Sequence, residues 1–274
     1  EASLPCRAPG NLGGPGAGRA MLKEGFAIYL ATRKKNDQLF NHYFMRPLAG
    51  VAVALLAKTP VTPNQITILN LVLALVACAM FVLDTSYAGG LYAVLVLELS
   101  YLLDCCDGML ARHKKLASKT GHLFDFFTDE VKAAALVIAV GLRLSQTGGY
   151  APSTTGISLV ASESFFLLAT IAGLFVITAA ISLTKFERHP EMSGRAETVE
   201  AFYETVATDA KVSPLKRVVG LVFTFLRFLN HYPSHIYVFA LLGRLDAFFW
   251  MYVGINGLYL AKGWLGLLLR FGRS

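Results

Sequence analysis

Four aspartates crowd one short stretch, "LDCCDGMLARHKKLASKTGHLFDFFTDE", residues 103–130, of a chain that is otherwise 55% hydrophobic. Asp104 and Asp107 are three residues apart, and Asp125 and Asp129 are four apart. On a helix either spacing puts both carboxylates on one face. A short connection, Arg112 to His122, brings the two helices antiparallel, so both pairs can point into one space. Carboxylates that close do not all stay ionised unless a cation joins them. Hard divalent ions, Mg²⁺, Mn²⁺ or Ca²⁺, suit all-carboxylate chemistry far better than zinc. Such ions commonly hold phosphates and clamp the attacking and leaving oxygens of a displacement. Gly108 lets a diphosphate or a base approach the backbone closely. Arg112 supplies a planar fork suited to a phosphate or a nucleobase edge.

The elements that must position these groups read as membrane helices. Mean hydropathy is +0.53 and only 16% of residues are charged, against about 25% in an ordinary soluble domain. The expectation is an integral, multi-pass membrane protein, which excludes a soluble enzyme and a disordered chain. Apolar stretches at roughly 63–83, 88–110, 123–144 and 158–184 each approach a bilayer's thickness. Pro63 suits the first turn of its helix. A fifth span lies within "RVVGLVFTFLRFLNHYPSHIYVFALLG", either broken or preceded by an interfacial helix, and "DAFFWMYVGINGLYLAKGWLGLLL" is the last. Ahead of them, 1–20 reads as a disordered leader or linker and 21–58 as an amphipathic interfacial helix region. Opening on Glu1, the chain is read as the remainder of something longer. The predicted architecture is all-α: a six-transmembrane-helix bundle over 59–274 with an N-terminal amphipathic juxtamembrane helix. A polar cytoplasmic loop with a short helix is expected over about 186–216.

A net charge of +7 reflects basic residues on the cytoplasmic side rather than a nucleic-acid partner. The loops "DTSYAGG" and "SQTGGYAPSTTGIS" carry no Lys or Arg, although Arg143 stands just before the second. Arg46, Lys58, Arg112, Lys114, Lys115 and Lys119 are among those gathered on the other side. Both ends and the aspartates therefore face the cytoplasm. The four cysteines form no disulfide framework or zinc knuckle, and Cys105 with Cys106 is expected to fill space between the aspartates. His231 and His235, flanking Pro233, read as interfacial. Trp250, Tyr252, Tyr259 and Trp264 read as belt or packing groups.

The pattern Asp104-x-x-Asp107-Gly108-x-x-Ala111-Arg112, eight residues, Gly121-x-x-x-Asp125-x-x-x-Asp129 resembles the CDP-alcohol phosphotransferase signature at every fixed position. The likeness runs over roughly 60–270 and includes Pro63, Asn64 and Thr67 of "TPNQIT". It implies a six-helix fold with a cytoplasm-facing site for two divalent ions, Mg²⁺ or Mn²⁺. Asp104, Asp107 and Asp125 would be metal ligands, and Asp129 both ligand and general base. Gly108, Ala111, Arg112 and Gly121 would line the cytidine diphosphate pocket, with Ser118, Asn64 and Thr67 as weaker carry-overs.

The implied reaction moves a substituted phosphate from a CDP-linked donor to an alcohol hydroxyl, releasing CMP, in phospholipid synthesis. Donor and acceptor take one of two arrangements: CDP-diacylglycerol with a water-soluble alcohol, or a CDP-linked headgroup with a lipid or polyol alcohol. Lys132, Lys185 and Arg188 are candidates for gripping an acceptor phosphate. The stretch from "RKKNDQ" to "PNQIT" resembles family members fused behind a cytidylyltransferase domain that make inositol phosphodiesters. A homodimer is the expected assembly. The competing reading is a cation-coupled transporter whose aspartates carry ions across the bilayer. A degenerate member acting as a partner subunit is a third reading, which the intact signature does not favour.

Overall fold

The computed structural model describes residues 17–33, 37–147, 163–188 and 224–271, and the regular structure among them is helical throughout. Helix α1 spans Ala17–Thr32, so its first turn draws on the stretch read as leader. One turn of π-helix, Asn41–Met45, runs into α2, Arg46–Leu56. Then follow α3, Pro63–Leu83, α4, Tyr87–His113, α5, Lys119–Thr147, and α6, Glu163–Arg188. Helical residues 224–230 lead through a 3₁₀ turn, Tyr232–Ser234, into α7, Ile236–Leu241, and α8, Leu245–Phe271. Residues 1–16 of the expected leader, most of the expected polar loop (from 189 onward) and the first part of the fifth stretch lie outside the described residues.

Local chemistry sets the helix ends. Thr62 caps α3: its hydroxyl accepts from Gln65 N while the Gln65 side chain reaches back to Thr62 N, and Pro63 takes the first helical position. Between α4 and α5 the link is Lys114–Ser118, tighter than the Arg112–His122 connection expected. Helix α4 runs on to His113 because Lys115, at φ 56°, turns left-handed and closes the end with Leu116 N donating to Ala111 O and Lys115 N to Arg112 O. Ser118 Oγ then accepts from Gly121 N and starts α5.

Helix α3 is apolar outside and, apart from Ile66 and Phe81, small or polar inside. Ile68, Leu69, Val72, Leu75 and Val76 are exposed, while Thr67, Asn70, Ala74, Ala77 and Cys78 are buried. Water would reverse that pattern; hydrocarbon permits it, because lipid tails are as apolar as leucine and helices then associate through close, small-residue contacts. Two described helices, Pro63–Leu83 and Phe165–Glu187, are long and apolar enough to cross a membrane. Close crossings recur elsewhere. A Cβ on Gly141 of α5 would stand 2.0 Å from Thr170 Oγ1 of α6, and one on Gly50 of α2 would stand 2.5 Å from Gly25 O of α1.

Two apolar clusters result. The larger joins α3 to α8 through Phe81, Leu97, Leu136, Val140, Ile177 and Phe248. The smaller packs α1 and α2 on α4 through Tyr29, Ala49, Val53, Cys105, Cys106 and Met109. The cysteines therefore do not fill space between the aspartates. Positions between i and i+3 turn to another face of the helix, and Cys106 Sγ points to Ala49 O of α2 at 3.8 Å.

Arg143, the basic residue that broke the loop-charge pattern, is spent inside the protein. Buried in α5, it donates to Phe81 O, Asp84 O, Thr85 O and Ser86 O at 2.6–3.2 Å. Three of them, Phe81 O, Asp84 O and Thr85 O, lie at the end of α3 and in the turn beyond, where helical partners run out, and Ser86 O also accepts from Gly90 N at 3.1 Å. At the same end Arg244 forms a two-pronged pair with Asp246 at 2.9 and 3.0 Å.

His235 is buried and His231 half-buried, and both find partners within the bundle. Pro233 breaks the helix there, and the freed polar groups need partners. His235, buried, bonds Leu229 O through Nε2 at 2.8 Å. His231 Nε2 meets the Tyr101 hydroxyl of α4 at 2.7 Å, and that hydroxyl donates to Asn41 Oδ1 at 2.6 Å.

Candidate active site

The end of α4 and the start of α5 bring Asp104, Asp125 and Asp129 together, with one carboxylate oxygen of each within 4.8 Å of the others. Asp107 lies one turn along α4, outside this trio and buried. Exposure climbs across the set. The Asp107 residue is 4% exposed, the Asp104 side chain 20% and the Asp129 side chain 51%, so Asp129 faces the approach.

Helix α3 supplies the groups that hold the α4 carboxylates. Thr67 Oγ1 donates to Asp107 Oδ2 at 2.7 Å, and Asn70 Nδ2 donates to Asp104 Oδ1 at 2.8 Å. Ser100 of α4 donates to Asn70 Oδ1 at 2.6 Å and fixes the amide's orientation. Thr67 was expected as a weak contributor to the nucleotide pocket, but it is buried against Asp107 instead; Asn70 and Ser100 were not anticipated. The signal for Asn70 was an amide within an apolar run, one turn beyond Thr67 on the same face.

Lys132 is in the cluster itself. Its side chain is 3% exposed, and its Nζ lies 2.6 Å from Asp104 Oδ1 and 2.7 Å from Asp129 Oδ1. Of the other acceptor candidates, Lys185 pairs with Glu130 Oε2 at 2.6 Å and sits 5.0 Å from the Phe126 ring centre. That spends its charge beside the cluster rather than in it. The Arg188 side chain lies outside the described residues.

Gly108 leaves an open floor. A Cβ on Gly108 would meet only Arg112, at 3.6 Å, so packing within the protein does not demand a glycine there. One on Gly121 would meet Ser118 Oγ at 3.1 Å and Asn64 Oδ1 at 3.5 Å, which gathers one signature position and two of the weaker carry-overs. Ala111 is half-buried one turn from Gly108. Arg112 Nε donates to Thr32 O, the last residue of α1, at 2.9 Å. Three hard oxygen donors within reach of a common centre, two of them already meeting on an ammonium, fit a divalent ion.

A cavity of about 540 Å³ opens at the other end of the bundle, between Thr85, Tyr87, Arg143 and Arg244. It is remote from the carboxylates, and its arginines are committed to carbonyls and to Asp246.

The sequence profile of the CDP-alcohol phosphatidyltransferase family matches residues 60–243, and the chain belongs to that family. Membership identifies it with transferases of phospholipid synthesis and gives the ion-transporter reading no support. The chain is similar to the "Bifunctional IPC transferase and DIPP synthase" of Rubrobacter xylanophilus, 30% identical over 109 residues, 38% of this chain and 24% of that protein. It is also similar to the "Archaetidylinositol phosphate synthase" of Pyrococcus horikoshii, 32% identical over 87 residues, 32% of this chain and 44% of that protein. The matched region spans less than half of either relative's length.

Proposed function

We propose that this protein transfers a substituted phosphate from a CDP-linked donor to an alcohol hydroxyl and releases CMP, with the cluster of Asp104, Asp107, Asp125 and Asp129 as its active site. The observation that carries the reading is the convergence of three of these carboxylates beside Gly108, whose missing side chain leaves space for a ligand.

Asp104, Asp125 and Asp129, joined by Asp107, would hold Mg²⁺ or Mn²⁺. Bound there, the ions supply positive charge against the donor's diphosphate and the departing CMP. Within the protein, Gly108, Ala111, Gly121, Ser118 and Asn64 form the floor and rim on which cytidine diphosphate lies. Thr67 and Asn70 orient carboxylates so that little rearrangement is needed at reaction. Asp129, the most exposed of the carboxylates described above, takes the hydroxyl proton as the alcohol oxygen bonds the phosphorus distal to cytidine and the bridge to CMP breaks.

The acceptor class we favour is a phosphorylated polyol of the inositol phosphate kind, on the printed name of the Pyrococcus horikoshii relative. CDP-diacylglycerol-type lipid is then the donor, with a CDP-linked headgroup and a lipid alcohol as the second arrangement. In the membrane, α3 to α6, the broken stretch ending in α7, and α8 make six spans with the carboxylates toward the cytoplasm. Along α1, Leu22, Phe26 and Leu30 form an exposed apolar stripe beside Arg19 and Lys23, as expected of a helix lying in the headgroup layer. We expect a homodimer.

The test is CMP release by purified protein with Mg²⁺ or Mn²⁺, screening CDP-diacylglycerol and CDP-inositol against inositol phosphate, glycerol phosphate and lipid alcohols. Release from one pairing, lost on chelation, is the expected result. No release from any pairing overturns the reading.

A further inference from the structure

Lys132 was expected to grip an acceptor phosphate. That does not suit a side chain that is 3% exposed with its ammonium turned inward between two carboxylates. We propose that Lys132 is a built-in counter-ion that competes with the divalent ion for Asp104 and Asp129 and positions Asp129 for its part in the reaction. The inference rests on the metal-site reading above.

The geometry carries it. A single ammonium lies 2.6 Å from Asp104 Oδ1 and 2.7 Å from Asp129 Oδ1, joining carboxylates on two different helices. These are two of the three side chains whose oxygens gather within 4.8 Å. Asp104 Oδ1 also accepts from Asn70, so that oxygen already holds two donors before any ion arrives. A divalent ion and an ammonium seek the same lone pairs and repel each other at contact range. An ion can settle on this cluster only by loosening or displacing part of the lysine's hold.

Keeping such a competitor has a physical use. Without a cation the carboxylates would repel or take up protons, and the site would spread. The ammonium holds Asp104 and Asp129 together across the two helices. By binding Asp129 through Oδ1 it also sets the rotamer of a side chain that is otherwise half-exposed. Lys132 is thus a positioning residue, acting through Asp129.

The charge of Lys132 can be separated from its packing. Wild type, Lys132→Met, Lys132→Gln and Lys132→Arg would be purified in detergent and titrated with Mn²⁺, without nucleotide, following the free-ion signal by electron paramagnetic resonance. Each would also be unfolded thermally without metal. The two neutral variants are expected to bind Mn²⁺ at least about tenfold more tightly than wild type, since a repelling charge has gone. Their metal-free unfolding temperature should fall, and kcat for CMP release should fall more than donor KM rises. Lys132→Arg, which keeps the charge, should bind Mn²⁺ like wild type. A merely structural lysine would weaken metal binding and stability together. Equal or weaker Mn²⁺ binding by Lys132→Met or by Lys132→Gln, whichever is recovered folded, overturns the proposal while the metal site stands. Failure of wild type to bind Mn²⁺ overturns the metal site and the proposal with it.

Discussion

Asn70 Nδ2 and Asp104 Oδ1 lie 2.8 Å apart, so a side chain of α3 holds a carboxylate of α4 from behind. Because Ser100 fixes the other end of the amide, Asn70 has one productive orientation. Replacing it by alanine removes a donor from Asp104 and leaves the Ser100 hydroxyl without this partner. Losing a group that orients a ligand typically costs 10–100-fold in metal affinity or activity. Asn70→Ala is therefore expected to lower kcat for CMP release by about that factor with the fold intact, as read by assay and thermal unfolding together. Unchanged kcat would detach α3 from the chemistry.

Asp129→Asn keeps size and removes the proton acceptor. The expected loss in kcat is about 10²–10⁴-fold, the usual contribution of a positioned acid or base. Donor binding, measured separately by protection of thermal unfolding, should fall far less. CMP release at the normal rate would move the base to another residue.

Two glycines should respond in opposite ways to the same change. Gly108→Ala places its methyl in open space with Arg112 at 3.6 Å, so the unfolding midpoint should hold while donor KM rises several-fold. Gly141→Ala drives a methyl to 2.0 Å from Thr170 Oγ1 at a helix crossing, which only backbone movement relieves. A loss of about 2 kcal/mol is expected there, the middle of the range for overpacking. Destabilisation by Gly108→Ala comparable to that by Gly141→Ala would refute the open floor.

Arg143→Met removes the donor to Phe81 O, Asp84 O and Thr85 O, and one of two donors to Ser86 O, at the end of the bundle away from the aspartates. Hydrogen bonds to a charged group are worth more than neutral ones, and leaving their partners buried adds to the loss. A destabilisation of about 3 kcal/mol is expected, with Mn²⁺ affinity unchanged. An equal effect on metal binding would show that the two ends do not behave independently.

The apolar runs were readable because period and length alone define them. Pro63–Leu83 was expected at 63–83, and the fourth run, expected at 158–184, is Glu163–Arg188. The family signature follows from spacing in the same way. What stayed hidden depends on partners distant in the chain. The internal role of His231 needs Tyr101, 130 positions earlier, and that of Asn70 needs Asp104, 34 positions later. Lys132 showed its helical register in the sequence. That its ammonium turns inward depends on α4 lying alongside, a relation no local pattern contains. The cysteine pair was misread for a simpler reason: adjacent residues on a helix do not share a face.

The bond from Arg112 Nε to Thr32 O ties the guanidinium of the signature to the final carbonyl of α1. Gly25 and Gly50 let α1 and α2 touch backbone to backbone, so the pair can shift only as one lever. If that lever rests on the leaflet surface, tension in the leaflet reaches the nucleotide floor through this tether and through the packing of α1 and α2 on α4. Arg112 cannot swing outward without either snapping that tether or dragging the lever along.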